Sequence, residues 1–184
     1  MKSININKLE DYALNSANIK QVLGGNIKII EYSELSKYNS IDEAFDNEGR
    51  FILFFATESS TIGHWESMLK IDNNIIFFDS YGLAVDECKE YVQKKLLINL
   101  REYPNYLTDL LKKSNYNLYH NTTKYQQMKG DISTCGKHSS NRLLNKNLNG
   151  LEYKNSMNQM KQNYKAKTYD GAVSLFFLDK YKIQ

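Results

Sequence analysis

The chain has 184 residues, of which 41% are hydrophobic, and a formal net charge of +3 at pH 7. This length can bury one sizeable core, and the composition is typical of a globular protein. No apolar run approaches the ~20 residues of a membrane span, and the amino terminus lacks the apolar core of a secretory signal. Cys88 and Cys135 have unrelated surroundings, which argues against a disulfide framework and a zinc site. We therefore expect one soluble domain over residues 1–184, with no metal or cofactor.

The first 50 residues are predicted to contain two helices separated by a strand. Apolar residues at helical spacing predict a helix over residues 9–23, and a strand-like run follows over residues 27–32. Ser40 and Glu43 have the spacing of a capping box, which predicts a short helix that ends before Gly49.

Three short strands are predicted next, over residues 50–57, 64–71 and 75–78. The second and third are separated by Asp72-Asn73-Asn74. A two-residue turn at residues 72–73 would pair Ile71 with Asn74 and make Asp79 the diagonal same-face neighbour of His64, within side-chain reach.

The remaining chain is predicted to be mostly helical, with one strand over residues 117–125 that leads to Gln126 and Gln127. The predicted helices cover residues 85–100, 106–113, 137–148, 156–164 and 170–181. The resulting architecture is α+β, a small mixed sheet flanked by helices.

His64, Asp79 and Cys135 supply a base, an orienting carboxylate and a nucleophile. A thiol attacks efficiently only as the thiolate, and a histidine held by a carboxylate can take its proton. The predicted register brings His64 to Asp79, and Cys135 lies near a helix amino terminus, where the helix dipole lowers the pKa of a thiol. Read together, the three residues predict a cysteine protease. Cys88 has no comparable motif around it and is predicted to be a buried structural residue.

At these residues the chain resembles the adenain-like viral cysteine proteases, whose clan includes the SUMO-deconjugating proteases. The resemblance extends over residues 27–148 and continues weakly to residues 168–170. It is most similar to versions from large DNA viruses, virophages and polinton-type elements. The matching motifs, in the family's order, are Gly63-His64-Trp65, Phe77 to Gly82, a glutamine at position 126 or 127, and Thr134 to His138.

The resemblance implies a papain-like, adenain-like architecture and a role for each matching residue. Cys135 would be the nucleophile, His64 the general base and then acid, and Asp79 the residue that orients the imidazole. A glutamine would complete the oxyanion hole together with the backbone N–H of Cys135. The family places this glutamine slightly closer to its cysteine than either candidate stands here, so Gln127, the nearer of the two, is the predicted donor.

Trp65 matches a position that lines a narrow tunnel over the substrate backbone in this clan. A flat indole there leaves room mainly for glycine, so the resemblance implies cleavage after glycine. The periodicity of the strand leaves a second interpretation open, in which Trp65 is a core residue on the same face as Ser67, Leu69 and Ile71.

By resemblance, the chain is expected to be a cysteine endopeptidase that processes viral capsid or core proteins during virion maturation. It would then act in the virion and in the infected host cell, as a monomer and away from membranes. The alternatives are a deconjugase of ubiquitin-like proteins, including SUMO, and an acyltransferase that uses the same histidine, acid and cysteine. Lysine clusters at residues 94–95, 112–113 and 161–167 mark a solvated face, with weak, non-specific DNA binding as the alternative.

Overall fold

The computed structural model describes residues 5–183, which form a mixed sheet flanked by helices. Over these residues the sheet has five strands in the order β1-β2-β3-β4-β5. The central pairs β2/β3 and β3/β4 are antiparallel, and the outer pairs β1/β2 and β4/β5 are parallel. The predicted α+β class is confirmed. The strands are β1 (Lys28–Glu31), β2 (Arg50–Ser59), β3 (Ile62–Ile71), β4 (Asn74–Phe78) and β5 (Asn117–His120).

Helices surround the sheet and account for most of the chain outside it. The α-helices are α1 (Ile6–Asp11), α2 (Ser16–Leu23), α3 (Lys94–Asn99), α4 (Tyr106–Lys112), α5 (Cys135–Leu144), α6 (Gly150–Asn163) and α7 (Tyr169–Tyr181). Short 3₁₀ segments occupy Tyr32–Lys37, Ile41–Ala44 and Glu87–Tyr91. Between residues 5 and 183, the helices are all too short or too polar to cross a lipid bilayer.

The β3/β4 hairpin has the predicted register. Ile71 pairs with Asn74, and the strands stay in phase as far as the pair Ser67 and Phe78. Asp72 has a φ of 50°, which a short aspartate side chain tolerates better than most residues. This register brings the start of β3 and the end of β4 to the same end of the sheet.

The two faces of the sheet carry separate apolar clusters. On one face Phe51, Phe55 and Phe77 pack against the segment before β2 and against α3 and α4. On the other face Ile52 and Trp65 pack against α2, α5 and α7. Helix α5 is central to this second layer, since every residue from Cys135 to Leu143 is buried.

Two predicted helices are interrupted in the structure. The helix predicted over residues 9–23 is split into α1 and α2, because Asn15 and Asn18 form a capping box that starts α2 anew. The helix predicted over residues 85–100 is a 3₁₀ segment followed by α3. There Asp86 adopts a φ of 64° and its carboxylate accepts hydrogen bonds from Tyr32 and Thr108, a tertiary arrangement that periodicity does not encode.

The strand predicted over residues 117–125 ends at His120. The Asn121 side chain then takes the place of a ladder partner: its Oδ1 accepts from the Asp79 N–H at 3.0 Å and its Nδ2 donates to the Asp79 carbonyl at 2.7 Å. The chain beyond Asn121 reaches Gln126 in an irregular conformation.

Candidate active site

His64, Asp79 and Cys135 meet at one end of the sheet. His64 lies near the start of β3, Asp79 directly follows β4, and Cys135 is the first residue of α5. The His64 Nε2 lies 2.5 Å from the Asp79 Oδ2, and the Cys135 thiol lies close enough to the imidazole for each group to shift the pKa of the other. All three residues are buried. The hairpin register accounts for the first contact, and the packing of α5 on β3 accounts for the second.

The Asp79 carboxylate is fixed by the turn that follows it. Its Oδ1 accepts from the backbone N–H groups of Tyr81 at 2.7 Å and Leu83 at 3.2 Å, so its Oδ2 is left for His64. The Tyr81 ring is stacked on the imidazole, with ring centroids 5.0 Å apart and planes 20° from parallel. The imidazole is therefore positioned by the contact with Asp79 at its edge and by the stacked Tyr81 ring on its face.

The electrostatics favour a charged pair of thiolate and imidazolium. Burial acts to raise the pKa of Cys135, but the adjacent His64 side chain, the charge of His64 and the backbone N–H groups of Trp65 and Gly136 bring it below the usual value. Burial acts to lower the pKa of His64, but Asp79 and Cys135 raise it well above the usual value. Cys88 differs: burial and the nearby Glu66 carboxyl raise the pKa of its thiol well above the usual range.

The start of α5 is anchored by a buried aspartate. Asp170, on α7, accepts from the Thr134 hydroxyl at 2.5 Å and lies 3.1 Å from the His138 Nε2 through the same Oδ1. Gly136 follows Cys135 in α5, and a Cβ at this position would come within 3.0 Å of the Leu14 side chain and 3.1 Å of the Trp65 side chain. A side chain at this position would require Leu14 and Trp65 to shift by a few tenths of an ångström, so glycine suits the close approach of α5 to Trp65 on β3.

The two candidate glutamines point in different directions. Gln126 is buried and lines the same cavity as Cys135 and His64. Gln127 directs both its backbone N–H and its side-chain amide to the Asp170 Oδ2, at 3.1 and 3.3 Å. The structure thus places Gln126, and not the predicted Gln127, at the cavity.

Trp65 is both a core residue and a cavity-lining residue, so both sequence-based interpretations of this position apply. Its ring packs within the apolar layer under α5, 4.6 Å from the Phe54 ring, and also lines the cavity beside Cys135. The indole Nε1 donates to the Leu14 carbonyl at 3.0 Å. The ring is therefore held in place by the segment between α1 and α2.

The cavity at this end of the sheet has a volume of about 930 Å³. Residues from β2, β3, the loop before α5 and the segment between α1 and α2 form its walls. Cys135, His64, Trp65, Gln126, Tyr81 and Met128 are among its lining residues. An extended peptide could occupy a space of this size.

Glu66 is a buried carboxyl that the motif analysis missed. It follows His64 by two positions on the same face of β3, so strand alternation could have identified it. Ligand atoms of His64, Glu66 and Asp79 all lie within 4.8 Å of one another, a donor set that could suit a metal ion. His64 and Asp79 already bind each other, and burial together with the charge of Asp79 raises the pKa of Glu66 to about 8.

Comparison with known proteins gives one relative in sequence and several in structure. No family model matches the chain. Among solved structures it is similar to the SUMO protease Ulp1 with its catalytic cysteine oxidised to a sulfinic acid, with 14% identity and a TM-score of 0.37, covering 94% of this chain and 73% of that one. It is also similar to the C-terminal Ulp1 protease domain in complex with Smt3, the yeast orthologue of SUMO, with 14% identity and a TM-score of 0.38, covering 92% and 76%.

The relative in sequence comes from a virophage. Uncharacterized protein V9 of Sputnik virophage is 35% identical to this chain over 157 residues, which span 85% of this chain and 89% of that protein. The aligned region is long enough to include the sheet and α5. The chain therefore belongs to the same family as protein V9 of Sputnik virophage.

Proposed function

We propose that the chain is a cysteine endopeptidase in which Cys135 is the nucleophile, His64 the general base and acid, and Asp79 the orienting carboxylate. The observation that carries the proposal is the joint geometry of these groups: an imidazole that faces the Cys135 thiol on one side and binds a fixed carboxylate 2.5 Å away on the other. This is the arrangement that a thiolate nucleophile requires. The lowered pKa of Cys135 beside the raised pKa of His64 adds to it.

In the proposed reaction the Cys135 thiolate attacks the carbonyl carbon of the scissile peptide bond. The carbonyl oxygen takes the negative charge, and the His64 imidazolium gives its proton to the departing amine as the C–N bond breaks. Water then attacks the thioester, with His64 as the base, and the acid product leaves as the thiolate re-forms. Asp79 keeps the imidazole oriented through both steps.

We assign the side-chain oxyanion donor to Gln126 in place of Gln127. The support is its burial in the cavity that contains Cys135, whereas the Gln127 amide is bound to Asp170. The second donor would be the backbone N–H of Cys135, at the start of α5. Removing one such donor typically lowers the rate on the order of 10² to 10³.

We further propose that substrates carry glycine immediately before the scissile bond. Trp65 lines the cavity and is held rigidly by Leu14 and Phe54, so it cannot easily swing aside for a bulky residue. A short peptide whose glycine passes beneath the indole would fit such a channel, and a branched side chain would be refused by steric exclusion. The core role of Trp65 is compatible with this, because packing is what fixes the ring.

The biological substrates are proposed to be viral capsid or core proteins that are cut during virion maturation. The support is the virophage origin of the relative together with the resemblance of the motifs to viral maturation proteases. The enzyme would then act in the virion and the infected cell. Weak, salt-sensitive contact with DNA through the lysine clusters, and a monomeric state, remain predictions.

The test is hydrolysis of a short fluorogenic peptide that ends in glycine before the reporter amine. We expect turnover by the wild-type protein, a loss of roughly 10³-fold or more in Cys135→Ser, and near-parental turnover in the matched control Cys88→Ser. Iodoacetamide at mildly acidic pH should label Cys135 and spare Cys88. Undiminished hydrolysis by Cys135→Ser would contradict the assignment.

The same assay distinguishes the alternative functions. A capsid protease should cut an isolated peptide, because its recognition elements are local to the bond. Processing of folded ubiquitin-like precursors without turnover of peptides would instead indicate a deconjugase. Transfer of the acyl group to an added amine, in preference to water, would indicate an acyltransferase.

A further inference from the structure

Ser80 is a fully buried residue in the turn between Asp79 and Tyr81, and the chemistry described so far does not use its side chain. Its hydroxyl donates to the Gln126 Oε1 at 2.8 Å. Its backbone carbonyl accepts from the Gln126 backbone N–H at 2.9 Å and from that of Tyr125 at 2.8 Å. Ser80 therefore forms hydrogen bonds to Gln126 through both its main chain and its side chain.

The other end of the Gln126 amide is held by a carbonyl group. Its Nε2 donates to the Ile132 carbonyl oxygen at 3.0 Å. A carbonyl can only accept, so this contact requires the amide nitrogen on that side, and the Ser80 hydroxyl then serves the amide oxygen. The amide is thereby held in one of its two flip orientations, with one N–H bound and the second N–H free for a ligand in the cavity.

From this clamp we infer that Ser80 is the positioning residue of the oxyanion hole, which holds the Gln126 amide so that its free N–H points at the developing charge. The inference deepens the proposed function and rests on it. An oxyanion donor is effective because it is oriented before the reaction begins, and a side chain that must first be ordered gives up part of that advantage. A hydrogen bond to the amide oxygen also polarises the amide and strengthens its N–H as a donor.

The consequence of losing the Ser80 hydroxyl can be separated from general damage to the fold. Ser80→Ala removes one hydroxyl and leaves the backbone contacts to Tyr125 and Gln126 in place. The matched control is Ser67→Ala: Ser67 is also fully buried, pairs with the end of β4, and has a hydroxyl without a hydrogen-bond partner among residues 5–183.

The experiment compares kinetics with two chemical probes of the same cysteine. With the glycine peptide, we expect Ser80→Ala to lower kcat about tenfold with little change in KM, and Gln126→Ala to lower it on the order of 10² to 10³. A peptide aldehyde ending in glycine, whose adduct places an oxygen where the oxyanion forms, should bind both variants more weakly. Alkylation by iodoacetamide, which needs the thiolate but no oxyanion donor, should be unchanged. Ser67→Ala should match the wild type in all three measurements.

A double variant decides between positioning and a merely structural role. If Ser80 acts through Gln126, Ser80→Ala should cost nothing further in the Gln126→Ala background. An equal loss in both backgrounds, or a fall in alkylation rate parallel to the fall in kcat, would overturn the inference. So would an unchanged kcat for Ser80→Ala. If the wild-type protein hydrolysed no peptide, the proposed function itself would be wrong. That outcome differs from the three above, which contradict only the role of Ser80.

Discussion

At the scale of single residues, the site contains one more ionisable group than the proposed cysteine protease mechanism needs. Glu66 is buried on the His64 face of β3, and its Oε1 has no hydrogen-bond partner within residues 5–183. Burial and the neighbouring charge of Asp79 raise the pKa of Glu66 from 4.5 to about 8. A protonated Glu66 leaves Asp79 as the single carboxylate partner of the imidazolium.

The protonation of Glu66 in the folded state can be tested through the pH dependence of the free energy of unfolding. The folded protein holds this proton up to about pH 8, whereas the unfolded chain releases it above about pH 4.5. The unfolded state therefore binds fewer protons in this window, and stability should fall as the pH rises through it. Glu66→Gln imitates the neutral form and should remove this component. We expect the variant to be more stable than the wild type at pH 8, by on the order of a few kcal/mol, and similar to it at pH 4.

Chemical denaturation at a series of pH values would check this expectation. His64 and Cys88 titrate in both proteins, so the difference between the two curves reports the contribution of the Glu66 carboxyl. Parallel curves for the wild type and Glu66→Gln would show that Glu66 does not hold a proton in the folded state.

At the scale of elements, the segment between α1 and α2 forms a wall of the cavity and depends on a buried lysine of α5. The Lys137 ammonium donates to the carbonyl groups of Leu9 at 2.5 Å and Tyr12 at 2.7 Å. The same segment accepts the indole N–H of Trp65 through Leu14. Lys137 thus attaches the amino-terminal helices to the helix that bears Cys135.

Lys137→Met should loosen this segment. Methionine fills similar space but leaves two carbonyl oxygens without their donor, which costs roughly 1–3 kcal/mol for a buried polar group. We expect a lower urea midpoint and faster proteolysis within residues 5–15, read by mass spectrometry. Lys167→Met, which alters an exposed lysine, is the control and should resemble the wild type. Equal proteolysis of both variants would contradict the role given to Lys137.

The local sequence pattern correctly predicted the elements whose conformation is determined by residues that are neighbours in the sequence. The β3/β4 hairpin is such a case, since a two-residue turn fixes its register, and this placed Asp79 beside His64. Helices 9–23 and 85–100 were predicted as continuous because periodicity does not detect a new cap or a left-handed Asp86. The direction of the Gln126 side chain was not predictable either. It depends on a hydrogen bond from Ser80, which is distant in sequence, and on a hydrogen bond to the Ile132 carbonyl in the loop before α5.

At the scale of the whole molecule, Asp170 joins the last helix to the parts of the chain that surround Cys135. Its carboxylate binds Thr134 and His138 of the α5 region through one oxygen, and Gln127 through the other. Burial acts to raise the pKa of Asp170, but these hydrogen bonds and the charge of His138 hold it below the usual value. The negative charge is therefore retained in the interior and compensated by its partners.

Asp170→Asn should weaken the fold as a whole. Asparagine replaces one acceptor oxygen of the carboxylate by an NH₂ group, and each lost hydrogen bond to a buried charged group typically costs roughly 1.5–3 kcal/mol. We expect a large fall in Tm and reduced peptide hydrolysis at temperatures where the variant remains folded, because the start of α5 loses its anchor. Asp179→Asn, an exposed aspartate on the same helix, should change stability by about 0.5 kcal/mol or less. Calorimetry of the two variants would measure the contrast, and equal Tm values would refute it.

The turn from Asp79 to Gly82 contacts both the proposed base, His64, and the proposed oxyanion donor, Gln126. Asp79 sets the imidazole edge, Ser80 holds the Gln126 amide, and Tyr81 covers the imidazole face. Gly82 closes the turn with a φ of 78°, and a Cβ there would come within 2.9 Å of the Thr122 carbonyl oxygen. In the proposed reaction, acid–base chemistry and charge stabilisation thus share one rigid support. A shift of the backbone of this turn would misalign both at once, whereas the loss of one side chain, as in Ser80→Ala, would affect one function alone.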